Sequence, residues 1–567
     1  MIRTLDVPVK GEGMKNRRVL VLGGGVGGMS AAHELVERGF DVEVIEMKSI
    51  PGGKARSVPV PDSGRNGRAA LPGEHGFRFF PGFYRHLPDT MKRIPYRDNP
   101  EGCFNNLVDT SRVELAQAGL PPTYLPSRFP RHLSDLEMLF KEALHNDTGL
   151  TLEDASFYLG KLWEVMTSCK ERRLAQLEMV SWWDFVDAAN RSPAYQKFLA
   201  NGMSRSLVAA EPHEASARTI GQVQVHLMSN VVSPGVGTDR VLCGPTNSVW
   251  IYPWLTYLQQ QGVRYRERLV VKRILYNEGH VTGVEVMPST DPQRGVERLQ
   301  ADWYVFALPI ERMAPLISPW MNEADPRLAG LKELACNVRW MNGIQFYLYQ
   351  DVPVVHGHVL YVDSPWAITS ISQPQFWPEV SLSGYGDGRV RGILSVDISD
   401  WDEEGHFIKK MAKDCTRQQI ADEVWAELKR SLNVGGQVLL RDDMLHSYFL
   451  DADIVIPPPD MPRMDINLEP LFINRPDSWD KRPEAATAIP NLFLASDYVQ
   501  TNTDLACMEA ANEAARRAVN AILEASGSPA TPCRIYPMEM PEAFAPFREH
   551  DLKRFQLGLP WDGRLFG

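Results

Sequence analysis

The chain has 567 residues, too many for one hydrophobic core and enough for two domains. Apolar residues make up 44% and charged residues 23%, the balance of a soluble globular protein. The net charge of −11 excludes an electrostatic nucleic-acid binder, which needs a basic face, while a local apolar or basic patch could still give peripheral contact with a membrane.

Seven cysteines are scattered without CxxC or CxH spacing. That pattern reads as reduced thiols in a cytoplasmic protein with no metal site. The opening "MIRTLDVPVKGEGMKNRR" has no apolar signal core, and no run of eighteen apolar residues is long enough to span a bilayer.

In chain order, Val19 to Leu22 predict a short buried parallel strand. Gly23-Gly24-Gly25-Val26-Gly27-Gly28 follows and satisfies GxGxxG, and "MSAAHELVERG" predicts a helix beginning near Met29. Gly23 permits the tight turn, Gly25 lets backbone amides approach a pyrophosphate, and Gly28 lets the helix pack on the strand. "DVEVIE" predicts a second strand ending at Glu46, where a ribose-binding carboxylate belongs. This is a dinucleotide site.

A second glycine pair, Gly52-Gly53, follows with Lys54 and Arg56. The whole run resembles the extended motif of the flavoprotein superfamily that includes amine oxidases and phytoene desaturases. The resemblance implies FAD, bound along Gly23, Gly25, Val26, Gly27, Gly28, Met29, Glu46, Met47 and Lys48. It places Gly53, Lys54 and Arg56 at the pyrophosphate, with Lys54 standing where the family usually has Arg.

"PGEHGFRFFPGFYRHLPDTMKRIP" resembles a block of the plant-type phytoene desaturases through Glu74, Gly76, Phe79, Phe80 and Tyr84. Gly76, Phe77 and Arg78 then flank the cofactor. His75, Arg78 and Tyr84 become the candidate catalytic groups, with a loop hydrogen bond as the plain alternative for His75 and an ion pair for Arg78. Farther on, "SDLEMLFKEALHND" and "LEDASFYLGKLWEVMTSCKERRLAQLEMVSWWDFVDAA" predict helices, and the "KERR" run at 170–173 reads as a solvated helix face. "GVRYRERLVVKRILYNEGHVTGVEV" predicts a hairpin whose Val271 presents backbone to adenine in the resembled family. "ADWYVFALP" predicts the strand returning to the cofactor domain. "WMNGIQFYLYQDV" and "HGHVLYVDSPWAITSISQPQFW" predict strands, with His356 and His358 taken as ordinary strand residues.

Near the end, "NLFLASD" predicts a strand leading to Asp497, which binds the ribityl chain in the resembled family. The helix that follows, "CMEAA", brings Met508 and Glu509 to the flavin. Cys507 there reads as a small buried thiol rather than a covalent flavin link.

The expected fold is α/β: a Rossmann-type FAD-binding domain with an interleaved α+β substrate domain. The FAD domain is discontinuous, over 15–95, 236–315 and 481–525. The substrate domain, with a helical cap, takes 96–235 and 316–480, and a surface tail takes 526–567. The expected activity is FAD-dependent desaturation of a small apolar isoprenoid or carotenoid-type substrate, by hydride transfer to the flavin, with a quinone or oxygen as electron acceptor. Beside it stand a flavin amine or amino-acid oxidase, a redox-neutral flavoenzyme (isomerase, dehydroxylase or hydratase), and a flavin-free lipid carrier.

Overall fold

Five short parallel strands form the sheet that carries the N-terminal motif. In the computed structural model, which describes residues 17–76, 79–126, 149–202, 211–230, 239–291, 295–455, 466–538 and 540–565, they are β1 (Arg18–Leu22), β2 (Asp41–Ile45), β3 (Arg264–Arg266), β4 (Trp303–Phe306) and β5 (Leu492–Leu494). Their order is β5-β4-β1-β2-β3. β1, β4 and β5 are near-continuous apolar runs because helices cover both faces of a parallel sheet. Helix α1 (Val26–Glu37) links β1 to β2. Helix α2 (Met508–Ala525) lies against α1, and its Asn512 amide donates to Ser30 Oγ at 2.8 Å. Strands from three distant stretches of chain thus share one core, which runs from Val19 to Cys533.

The hairpin Leu269–Asn277 and His280–Pro288 forms as the sequence predicts, joined by a third strand, Glu297–Leu299.

A second sheet has seven strands, in the order Leu445–Leu450, Asn342–Leu348, Gly392–Ile398, Thr369–Ser372, His358–Tyr361, Arg112–Gln117 and Leu120–Pro126. Alternation along each strand divides its faces. Ile344, Phe346, Val359, Tyr361, Val396 and Ile398 pack beneath the helix Arg417–Leu432, which starts with a Thr416/Gln419 capping box. His358, Leu360, Thr369 and Asp397 turn to the opposite side. Two of the seven strands, 112–117 and 120–126, come from a stretch whose sequence signal was helical. The helix expected over 134–147 lies outside the described residues.

A third core is helical, built by Leu152–Thr167, Trp182–Phe185 and Ala217–Asn230 around Tyr158, Leu162, Trp182 and Tyr195. The final segment completes it: Met540 joins the core, and the helix Ala545–Gln556 docks on it. Here the reading of 170–173 as a solvated face holds for the exposed Lys170 and Glu171 and is corrected at Arg172. Arg172 is 1% exposed, and its Nε donates to Asp551 at 2.9 Å. Burial also pushes the Arg173 guanidinium down, to about 10. The partner sits 379 residues away, out of reach of any local pattern.

Two expectations follow. Asp551→Ala leaves the Arg172 guanidinium buried without its carboxylate and should cost about 3–5 kcal/mol of stability, read from denaturant midpoints. Glu427, buried one turn from Glu423, has its carboxyl pushed up to about 8, mainly by burial. A raised folded-state pKa means stability present at acid pH and lost as pH rises from about 5 through 8. Glu427→Gln should therefore lose a few kcal/mol less than the parent over that window in thermal melts; equal losses would refute the assignment.

Candidate functional site

The glycine motif and the second glycine pair are one structure. The backbone of Gly52 bridges Gly25 in parallel, and Gly52 N donates to Gly24 O at 3.1 Å. Gly53 has φ +56, and a side chain there would put Cβ 2.9 Å from Gly25 Cα. At Gly27 a Cβ would lie 2.2 Å from the Ala495 carbonyl, at the end of β5. Glycine is required because three backbone segments converge where α1 begins, and α1 has Gly25 as N-cap with no side-chain cap. The amides of its first turn face outward as an anion-binding end.

These elements wall one end of a cavity of about 560 Å³. Of the residues the sequence singles out, the cavity is lined by Gly23, Gly25, Val26, Gly27, Glu46, Met47, Lys48, Gly53, Lys54, His75, Gly76, Tyr84, Val271, Asp497 and Met508. Gly28 and Met29 lie behind it. Gly28 packs against the Gly23 carbonyl and Met29 is fully buried in the core. Phe77 and Arg78 lie outside the described residues.

Glu46 accepts from Gly24 N and Lys48 N, each at 2.7 Å. Burial, with Glu469 nearby, pushes its carboxyl up against those two amides. Asp497 follows β5 and receives Ser496 Oγ at 3.2 Å. Lys54 reaches Glu311 at 3.3 Å and the Pro470 carbonyl. Burial pushes the Glu311 carboxyl up, with Lys54 opposing.

Two positions differ from the sequence reading. Arg56 is buried away from the cavity, where it donates to Gly53 O at 2.7 Å and pairs with Asp453. It braces the glycine pair from behind instead of facing a phosphate. Glu509 points away too. Its carboxylate accepts from the amides of Arg85, His86 and Leu87 and from His86 Nδ1, so it closes the start of the helix His86–Lys92. Burial opposes its charge, but those donors hold its carboxyl below the usual range.

His75 makes the loop hydrogen bond of the plain reading: Nδ1 lies 2.6 Å from Asp451 Oδ2 and 3.6 Å from Asp453, both on the loop after the strand Leu445–Leu450. Lys48 reaches Asp453 at 2.9 Å and Glu469 at 2.7 Å. Against burial, His75, Arg56 and Lys48 together hold the Asp453 carboxyl far below its usual range. His75, Asp451 and Asp453 have their ligand atoms within 4.8 Å of one another, and the two cations supply the countercharge there. Tyr84 is hydrogen-bonded to Cys507, whose thiol burial pushes up to about 12, so it stays protonated.

The far wall was not legible in the sequence. Leu360, Thr369 and Asp397 sit side by side across three strands and line the cavity with Met341, Ser399, Leu505 and Phe79. His358, dismissed as a strand residue, lines it as well, whereas His356 is exposed. Its partner Asp239 is 119 residues away.

A family model described as flavin containing amine oxidoreductase matches residues 26–523, and the chain belongs to that family. It is 22% identical over 517 residues to 15-cis-phytoene desaturase of Synechococcus elongatus, spanning 89% of this chain and 96% of that one. A 124-residue segment, 19% of this chain and 23% of the other, is 32% identical to all-trans-zeta-carotene desaturase of Myxococcus xanthus. Among solved structures, putrescine oxidase with putrescine bound superposes with a TM-score of 0.59 at 12% identity, covering 90% and 99% of the two chains. Cyclohexylamine oxidase of Brevibacterium oxydans IH-35A gives 0.59 at 14%, with the same coverage. The chain is an FAD-dependent oxidoreductase. The site suits FAD: its cavity has a glycine cradle and helix amides at one end and two carboxylates, Glu46 and Asp497, in its lining.

Glu46→Ala removes the charged acceptor that both holds the Gly24 loop and faces the cavity. It should weaken FAD binding by about 10–150-fold, equivalent to about 1.5–3 kcal/mol. Flavin release on dilution checks this, and unchanged retention would place the nucleotide elsewhere.

Proposed function

We propose that this protein desaturates an apolar isoprenoid polyene, with a quinone or oxygen as the final electron acceptor. The observation that carries the reading is the alignment with a phytoene desaturase over nearly the full length of both chains. The cavity wall supports it. Phe79, Phe83, Met341, Leu360 and Leu505 give a mostly hydrocarbon surface beside the end where β5 and α2 meet.

Bound FAD supplies the two-electron oxidising power. Glu46, Asp497 and the amides of the glycine cradle hold it in place, with Lys48 and Lys54 adding positive charge. Gly76 packs closely on the far wall, since a Cβ there would lie 2.4 Å from Asp397 Oδ1. The aromatic and aliphatic wall excludes water, which orients the substrate and protects the reacting centre from side reactions. Burial raises the Cys507 thiol and Tyr84 hydrogen-bonds it, which supports a cofactor held without a covalent link. Because polyenes partition into bilayers, the reading includes peripheral membrane contact. No helix among the described residues is long and apolar enough to cross one.

Asp397 favours a second reading, oxidation of an amine, because a carboxylate on the wall suits a cationic group. Anaerobic visible spectra separate the two. Adding a phytoene-type polyene should bleach the flavin absorbance, and a panel of amines should leave it unchanged. Bleaching by an amine alone would move the activity to amine oxidation. A colour that neither class bleaches would refute both.

A further inference from the structure

The far wall of the cavity is not hydrocarbon throughout. Thr369 stands opposite Asp397 on the neighbouring strand, and Ser399 follows Asp397 at the next position on the same face, so all three line the cavity. Leu360 flanks Thr369 on its other side, and Met341 and Leu505 line the same cavity. Ser399 N donates to the Trp366 carbonyl at 3.2 Å, which fixes the end of this polar row.

Elsewhere on these strands buried hydroxyls are paired. Ser370 meets Tyr361 Oη at 2.9 Å, and Ser395 accepts from the Gln373 amide at 3.1 Å. The hydroxyls of Thr369 and Ser399 have no hydrogen-bond partner among the described residues, and neither is sealed from the cavity. Asp397 is engaged within the protein, so the row lacks hydrogen bonds rather than a counter-ion. A pure hydrocarbon seated on Leu360 would dry these groups and offer them nothing, which weakens its binding. A substrate hydroxyl brings one donor and two lone pairs. It can donate to the Asp397 carboxylate while Thr369 and Ser399 donate to it.

We propose that the substrate of this site is an isoprenoid bearing a hydroxyl group, its chain on Leu360 and Leu505 and its oxygen held by Thr369, Asp397 and Ser399. This rests on the desaturase reading and narrows it: the polar row selects which polyene is admitted, and bound FAD remains the oxidant. Thr369 and Ser399 are specificity residues in this scheme, because a site built to pair with a hydroxyl rejects the analogue that lacks one.

A competition on the FAD-loaded protein tests it. The protein is incubated with an equimolar mixture of geranylgeraniol and the hydrocarbon of the same chain without the hydroxyl, and the bound molecules are quantified by gas chromatography after gel filtration. The alcohol should be enriched about 10–100-fold over the mixture. Thr369→Val combined with Ser399→Ala should return the ratio to that of the mixture, with flavin content and visible spectrum unchanged, and Thr369→Ser should keep the parent's selection. No enrichment in the parent, retention of neither molecule, or full enrichment in the double variant overturns the proposal. Flavin loss or a shifted flavin spectrum in the double variant also overturns it, by assigning the row to the cofactor. Displacement of the alcohol by an equal concentration of geranylgeranylamine overturns it in favour of an amine. The desaturase reading fails separately: an alcohol that is selected but does not bleach the flavin anaerobically removes the dehydrogenation and keeps the hydroxyl seat.

Discussion

The seam between the two sheets is held by buried charge. Lys48, Arg56 and His75 come from the loops that follow β2, and Asp451 and Asp453 from the loop after the strand Leu445–Leu450, with Glu469 close behind. Taking charges out of water costs several kcal/mol each, and their mutual attraction roughly offsets that cost. Such a cluster is therefore a poor source of net stability but a strict source of geometry. Each group has one place where its partner is, and a displaced loop leaves a bare charge inside the protein. Asn342 tightens the arrangement by donating to Asp451 at 2.6 Å. Because Lys48, His75 and Glu469 also line the cavity, the seam fixes how the far sheet faces the nucleotide end.

The glycine cradle depends on that seam. Arg56 reaches from Asp453 back to the Gly53 carbonyl, so the second glycine pair is pressed against Gly25 by a residue that never enters the cavity. This explains why two glycine motifs belong together although Gly52 follows Gly25 by 27 residues. Phosphate binding by helix amides needs the backbone bare and close, and close backbone needs glycine on both sides of the contact.

What the sequence made legible follows the range of the interactions. β1, α1, β2 and Glu46 lie within one short stretch, so apolar periodicity and glycine spacing describe them fully. The same holds for β5, Asp497 and the start of α2. Charged groups with distant partners were misread. Arg56 was assigned to a phosphate, Glu509 to the flavin and Arg172 to solvent, because their partners are 397, 423 and 379 residues away. A lone charge in a motif looks like a ligand contact until its counter-ion appears. The strands 112–126 were missed for a related reason. A short hairpin between helical segments carries little periodic signal, and only pairing with His358–Tyr361 makes it part of a sheet.

That sheet explains why cofactor and substrate differ in how readily a sequence reveals them. The nucleotide end is built from contiguous motifs, which is why solved amine oxidases share its fold at 12–14% identity. The opposite wall is a row across strands, in which Leu360 pairs with Thr369 and Thr369 with Asp397. Each strand contributes one residue to that row, and a substitution at any one of them changes the chemistry without altering a motif. Fold therefore constrains the oxidant, and register constrains what is oxidised. The hydrocarbon lining around Leu360 suits an apolar substrate. An amine would instead be drawn to the carboxylate of Asp397. The two chemistries call on different members of the same row, Leu360 and Asp397, with Thr369 on the strand between them.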